Sequence, residues 1–259
     1  MVHLKTQEEI EIMAEGGRQL AEILKSLAAL VKPGATTAEI DAMAEKQIRA
    51  AGGEPAFKGY RAFGIPTPFP GSICTSINSE IVHGLPYPAR EIHEGDVVSL
   101  DIGMKYKGYF TDTAFTVGVE PLTEGRRKLI EAAQRSLDLV IDYLKENLSK
   151  ESLYVGDIGE FIQTYIEAGG FHVVRELVGH GIGKNLHEDP AVPNFRSRDR
   201  GERLQPGQVL AIEPMIYQGE EGVSFEQNGW AVFTTHGGAA AHFEHTVALT
   251  KEGLKILTK

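Results

Sequence analysis

The chain has 259 residues, 42% of them hydrophobic and 24% charged, enough for one large domain or two small ones around a substantial core. A single cysteine excludes an internal disulfide and a thiolate zinc site, and no apolar run approaches the roughly 20 residues of a membrane span. A formal net charge of -10 disfavours a nucleic-acid binder, and the polar opening from Met1 to Glu11 lacks a secretion-signal core, so a cytoplasmic protein is expected.

Residues 7 to 31 carry one apolar stripe, Ile10, Met13, Gly17, Leu20, Leu24, Leu27 and Val31, which predicts a helix begun by the capping box of Thr6 with Glu9 and stopped by Pro33-Gly34. A second capping box, Thr36 with Glu39, predicts a shorter helix through Ile40, Met43, Ala44 and Ile48 that ends at Gly52-Gly53. Proline and glycine then mark a loop to about residue 71. Strand composition begins at Asp96, with a hairpin over Val97 to Val119 around a polar turn at 105 to 108. Two further helices are expected at about 123 to 148 and at 157 to 168, the latter begun by Asp157 with Glu160. Strands follow near 171 to 178, 208 to 217, 222 to 234 and 241 to 250. The segment Gly95 to Asp101 parallels Gly207 to Glu213, since in both a glycine turn feeds an apolar strand that ends in an acid. With the repeated element order this predicts one α+β domain over 1–259, built of two similar halves, about 1–120 and 121–259.

The chemistry must come from carboxylates and histidines. A hairpin turn centred between Tyr106 and Lys107 would pair residues whose numbers sum to 213 and set Asp101 opposite Asp112. Opposed carboxylates repel unless one is protonated or a cation lies between them. Glu213 ends the apolar run Val209 to Ile212, and Glu244 begins another through Leu249. Buried acids are paired or bind metal, and four together favour metal. Gly179 to Pro190 sets His180 among three glycines, with His187 seven residues on; it lacks the dinucleotide spacing, and no HExxH zinc helix exists in the chain. His83 stands in an apolar stretch before a turn, where spacing alone favours a satisfied core histidine. Oxygen and nitrogen donors without sulfur suit manganese, iron(II), cobalt or magnesium, and such a set points to metal-assisted hydrolysis.

The ordered set Asp101, Asp112, His180, Glu213 and Glu244, with Ala-Ile-Glu213-Pro-Met and His-Phe-Glu244-His-Thr around the last two, resembles the metal ligands of the methionine aminopeptidases. Their pita-bread fold, shared with creatinase and prolidase, has an antiparallel sheet flanked by helices in two pseudo-symmetric halves. The resemblance implies two divalent ions per chain, cobalt, manganese or iron(II), with zinc as a further option. Asp112 and Glu244 would bridge both, Asp101 would bind one, and His180 with Glu213 the other. It also implies Glu213 as proton shuttle, and His83 and His187 as non-ligand histidines that contact substrate and stabilise the tetrahedral intermediate. The short interval from His187 to Glu213 and the few residues before the first helix match the short type I form. Cys74 and Trp230 look like type I landmarks near the methionine pocket. Leu186 stands where type I members often have phenylalanine, and the loop from Phe57 to Pro70 looks longer than usual, with Tyr60 and Phe63 as candidate wall residues. The implied activity is removal of initiator methionine from peptides and nascent chains with a small second residue, by a monomer with transient ribosome contact. An X-Pro aminopeptidase of the prolidase kind and a pita-bread binding protein without catalysis are the rivals.

Overall fold

Thr6 and Thr36 each begin a helix as their capping boxes dictate. This computed structural model describes residues 2–148, 152–227 and 229–259. Helix α1, Gln7–Ala28, opens with the Thr6 N–H donating to the Glu9 carboxylate at 2.8 Å. It ends three residues before the apolar stripe does. Leu30 and Val31 donate to the carbonyls of Leu27 and Ala28, so the chain tightens out of the α-helical ladder while Val31 stays buried. Helix α2, Thr37–Ala50, closes before Gly52, whose φ of 77° suits glycine.

The expectation that strands begin at Asp96 is corrected. Strands β1 (Glu54–Pro55), β2 (Cys74–Ile77) and β3 (Glu80–Val82) precede it, too short to show a period of two. The hairpin arms are β4, Val97–Tyr106, and β5, Tyr109–Gly118. Their register differs from the expected one by two. Tyr106 pairs Tyr109 across a turn of Lys107 and Gly108, at φ 47° and 88°, so Asp101 lies opposite Ala114 and Asp112 opposite Gly103. Positive φ at both turn residues is what a two-residue hairpin of the right twist requires. A shift of two keeps side-chain parity, and the aspartates are diagonal neighbours on one face.

Helix α3, Glu124–Asn147, is capped by Thr123. Helix α4, Val155–Ala168, begins two residues before the expected start. Asp157 is its third residue, and its carboxylate accepts from the Tyr154 N–H at 2.8 Å. The remaining strands are β6 (His172–Val173), β7 (Gly179–Gly181), β8 (Glu188–Val192), β9 (Val209–Ile212), β10 (Met215–Tyr217), β11 (Val223–Phe225), β12 (Val232–Thr234), β13 (Ala240–His242), β14 (Glu244–Thr250) and β15 (Gly253–Ile256). The expected strand near 171 to 178 shrinks to β6, and the one near 222 to 234 is the hairpin β11–β12. Strands β7, β8 and β15 had no sequence counterpart.

Expected strands 208 to 217 and 241 to 250 are each divided between two sheets. The nine-stranded sheet runs β1-β4-β5-β14-β9-β7-β8, with β2 on β4 and β15 on β14, and its pairs are antiparallel. Strands β10 and β13 pair in a separate three-stranded sheet, with Met215 opposite His242, while Ile212 faces His245 in the large one. Both segments change sheet at one level, at Glu213-Pro214 and at Phe243. Pro214 has no N–H to continue the ladder. Two acids therefore stand where the strands part.

Helices α1 and α2 cover one apolar cluster with Leu100, Ile102 and Met104 of β4; α3 and α4 cover another with Leu210, Ile212 and Val247. The architecture is α+β, an antiparallel sheet flanked by helices, as expected. Gly17 lets α1 lie close on the C-terminal segment, where a Cβ would come within 2.4 Å of the Leu257 carbonyl oxygen.

Candidate metal centre and its cavity

Four central strands bring the acids together. In the order β4-β5-β14-β9 they carry Asp101, Asp112 and Glu244, with Glu213 directly after the last. Thr246 bridges β5 and β14 beside them, accepting from the Asp112 N–H at 2.9 Å and donating to its carbonyl at 2.7 Å, while Thr113 donates to the Glu244 carbonyl at 2.8 Å. His180 comes from β7, opposite Ala211 of β9. Ligand atoms of Asp112, His180 and Glu244 lie within 4.8 Å of one another, and His180 Nε2 is 3.8 Å from Glu213 Oε1.

A divalent cation fits this set on three counts. His180 gives its Nδ1–H to the Gly181 carbonyl at 2.8 Å, and since a carbonyl only accepts, Nε2 holds the lone pair that faces the acids. Burial draws His180 down to about 3, so it is a neutral donor at pH 7. Asp101 Oδ1 and Glu244 Oε1 are buried without a hydrogen-bond partner. No lysine or arginine is among the described residues that line the cavity. Burial, reinforced by neighbouring carboxylates, pushes Asp101 and Glu244 well up; burial and the charge of Glu213 raise Asp112 to about 7, and burial raises Glu213 to about 8. Buried acids of one sign stay ionised when a cation lies among them.

A pH dependence follows. Without metal the folded state holds extra protons on Asp112 and Glu213, so its stability is present below the ordinary carboxylate range and is lost as pH rises toward 7 and 8. Chelator-treated protein is expected to melt at least about 5 °C lower at pH 8 than at pH 5, about 2 kcal/mol, and manganese should restore the loss. Melting curves with EDTA at the two pH values check this. A melting point that rises toward pH 8 would contradict it.

The acids floor a cavity of about 410 Å³ walled by Phe57, Tyr60, Phe69, Cys74, Leu186 and Trp230. Phe69 meets Trp230 edge-on at 5.2 Å, and the indole N–H donates to the Thr67 carbonyl at 3.0 Å. Cys74 pairs Asp101 across β2 and β4; burial and the Asp101 charge push its thiol well up, so it serves as a neutral apolar wall. Phe63 is corrected as a wall residue: it is fully exposed at the tip of a turn closed by the Ile65 N–H on the Ala62 carbonyl, which aims Ala62 and Ile65 inward instead.

His83 and His187 both line the cavity. His83 takes a left-handed φ of 58°, in a turn tied down by Arg90, which donates to the carbonyls of Thr75 and Leu85 at 2.9 Å and pairs Glu80 at 2.6 Å. Burial, with His242 and His187 nearby, lowers it to about 4. His187 stands 4.4 Å from the His180 ring, and its Nδ1 shares a hydrogen bond of 2.7 Å with the Tyr60 hydroxyl. Sequence reasoning missed His242 at the end of β13, beside Glu213; its place two residues before Glu244 was the available signal.

The family model for metallopeptidase family M24 matches residues 11–251. A methionine aminopeptidase of Bacillus subtilis (strain 168) is 43% identical over the full length of both chains. The crystal structure of methionine aminopeptidase from Thermotoga maritima superposes with a TM-score of 0.91, at 36% identity and complete coverage of both chains. A prolidase from Pyrococcus furiosus gives 0.70 at 24% identity, with this chain covering 65% of it, and shares the fold.

Proposed function

The chain belongs to metallopeptidase family M24, and on that premise we propose that it is a metal-dependent aminopeptidase that removes N-terminal methionine from peptides and nascent chains, with a preference for a small second residue. Its fold is the pita-bread fold of methionine aminopeptidases and prolidases. The observation that supports the chemistry is four acids with no lysine or arginine among the described residues beside them, three buried and Glu213 nearly so, and one histidine lone pair at the floor of an apolar cavity. Full-length relatives named methionine aminopeptidase support the substrate.

Asp101, Asp112, His180, Glu213 and Glu244 would hold two divalent ions, Asp112 and Glu244 serving both. When bound, these ions activate water and polarise the scissile carbonyl. Manganese, iron(II) or cobalt suits donors that are all oxygen and nitrogen, with zinc a further option. Glu213 takes the proton of the attacking water and hands it to the leaving amine, a role suited to a carboxylate that lines the cavity floor and is kept ionised by the bound cations. With the Tyr60 phenol donating to Nδ1, His187 presents its Nε2–H to the oxygen on which charge develops. His83, neutral and fixed by its turn, lines the same cavity and would contact the substrate there. Phe57, Phe69, Leu186 and Trp230 offer methionine an apolar, polarisable slot without a cationic side chain.

We further propose one domain of two related halves, 1–120 and 121–259, acting as a monomer with transient ribosome contact. The cytoplasm is the proposed compartment, in keeping with a single buried cysteine. No helix among the described residues is long and apolar enough to cross a membrane. Arg196 and Arg200, in the basic segment 196–203, pair with Glu160 and Asp157. Hydrolysis of Met-Ala-Ser against Ala-Pro-Ser tests the substrate class: methionine is expected from the first, with the second left intact. Preferential cleavage of the second would favour an X-Pro peptidase.

A further inference from the structure

His242 is 1% exposed, and neither of its ring nitrogens has a hydrogen-bond partner. Its backbone is held on both sides. The N–H donates to Thr116 Oγ1 at 2.9 Å, the carbonyl accepts from the same hydroxyl at 2.8 Å, and the residue pairs Met215 across β10 and β13. The ring is thus fixed behind Glu213, with Nε2 3.3 Å from Oε2. The other carboxyl oxygen, Oε1, faces His180 Nε2 at 3.8 Å. Glu213 therefore stands between two imidazoles. One gives its proton to Gly181 and turns a lone pair toward the acids; the other is free to carry its proton on the nitrogen nearest Glu213.

We propose that His242, as the Nε2–H tautomer, donates to Glu213 Oε2 and so positions that carboxyl, leaving Oε1 for the metal centre and the attacking water. A buried polar ring keeps its place when it has such a partner, and carboxyl groups at metal centres are characteristically held by an outer hydrogen bond. His242 is absent from the cavity wall, so it does not reach substrate; it is a positioning residue. The unpartnered nitrogen is then Nδ1, an acceptor, which is cheaper to bury alone than an N–H. The assay of this proposal rests on the methionine aminopeptidase reading, and wild-type release of methionine from Met-Ala-Ser tests that reading separately.

The experiment compares wild type, His242→Leu and His242→Gln. Leucine fills the space and removes the donor; glutamine restores an N–H. With His242→Leu, kcat is expected to fall 10- to 100-fold with KM within about threefold, and manganese affinity to fall about tenfold. His242→Gln should recover kcat to within about fivefold of wild type. In metal-free wild type, a long-range proton–nitrogen spectrum should show His242 protonated at Nε2. Wild-type kcat in His242→Leu, an equal loss in both variants, or protonation at Nδ1 would each overturn the proposal. Should His242→Leu fail to fold, the spectrum and His242→Gln decide alone.

Discussion

Glu213→Gln is expected to lower kcat for methionine release by about 10²- to 10⁴-fold with KM within a few fold, the range a positioned general base supplies. Glutamine keeps the volume and one oxygen but accepts no proton from water. Its backbone place is secure, since Asn194 donates to the Glu213 carbonyl at 2.8 Å and Pro214 follows. Burial raises the native carboxyl to about 8, so its removal relieves the metal-free protein, whose melting point at pH 8 should be unchanged or higher. Steady-state kinetics and a melting curve on the same preparation separate a chemical role from a packing one. Turnover within about threefold of wild type would remove Glu213 from the proton path.

Asp112→Asn should act on metal binding. Asp112 sits midway in the cluster, within 4.8 Å of ligand atoms of both His180 and Glu244. Asparagine preserves the Oδ1 that accepts from the Thr113 N–H at 3.0 Å, and Thr246 still ties the backbone to β14, so the strand should hold. What disappears is one of four negative charges and an anionic donor proposed to serve both ions. Loss of at least 100-fold in affinity, about 2.7 kcal/mol, is expected for one manganese equivalent or both, with activity below about 1%. Isothermal titration reads the stoichiometry directly. Two tight equivalents in the variant would contradict the bridging role.

Long helices and their caps were legible because a 3.6-residue stripe and a Thr-Glu pair are local signals, as at α1 and α2. Strands of two to four residues carry no period of their own, and β2, β7 and β15 exist through pairing with distant partners. The hairpin register was misread by two because Lys107, a residue without special backbone freedom, takes positive φ beside Gly108. The face of Asp101 and Asp112 survived the error because parity did. Glu213 and Glu244 stand out as acids against apolar runs, yet the apolar residues on both sides hide the change of sheet beside each, for which Pro214 between β9 and β10 is the one local signal. Phe63 looked like a wall residue because aromatic content says nothing of a turn that aims it outward. His83 reads as a core histidine on spacing alone and as a substrate contact only through the family resemblance, and its left-handed turn sets it at the cavity.

The rate of methionine release from Met-Ala-Ser, followed as manganese is titrated anaerobically into metal-free protein with Ala-Pro-Ser in parallel, tests the proposed chemistry most directly. The rate should rise from background and saturate at no more than two equivalents, while Ala-Pro-Ser stays intact. A rate indifferent to added metal, or the absence of methionine release at any metal level, would contradict it.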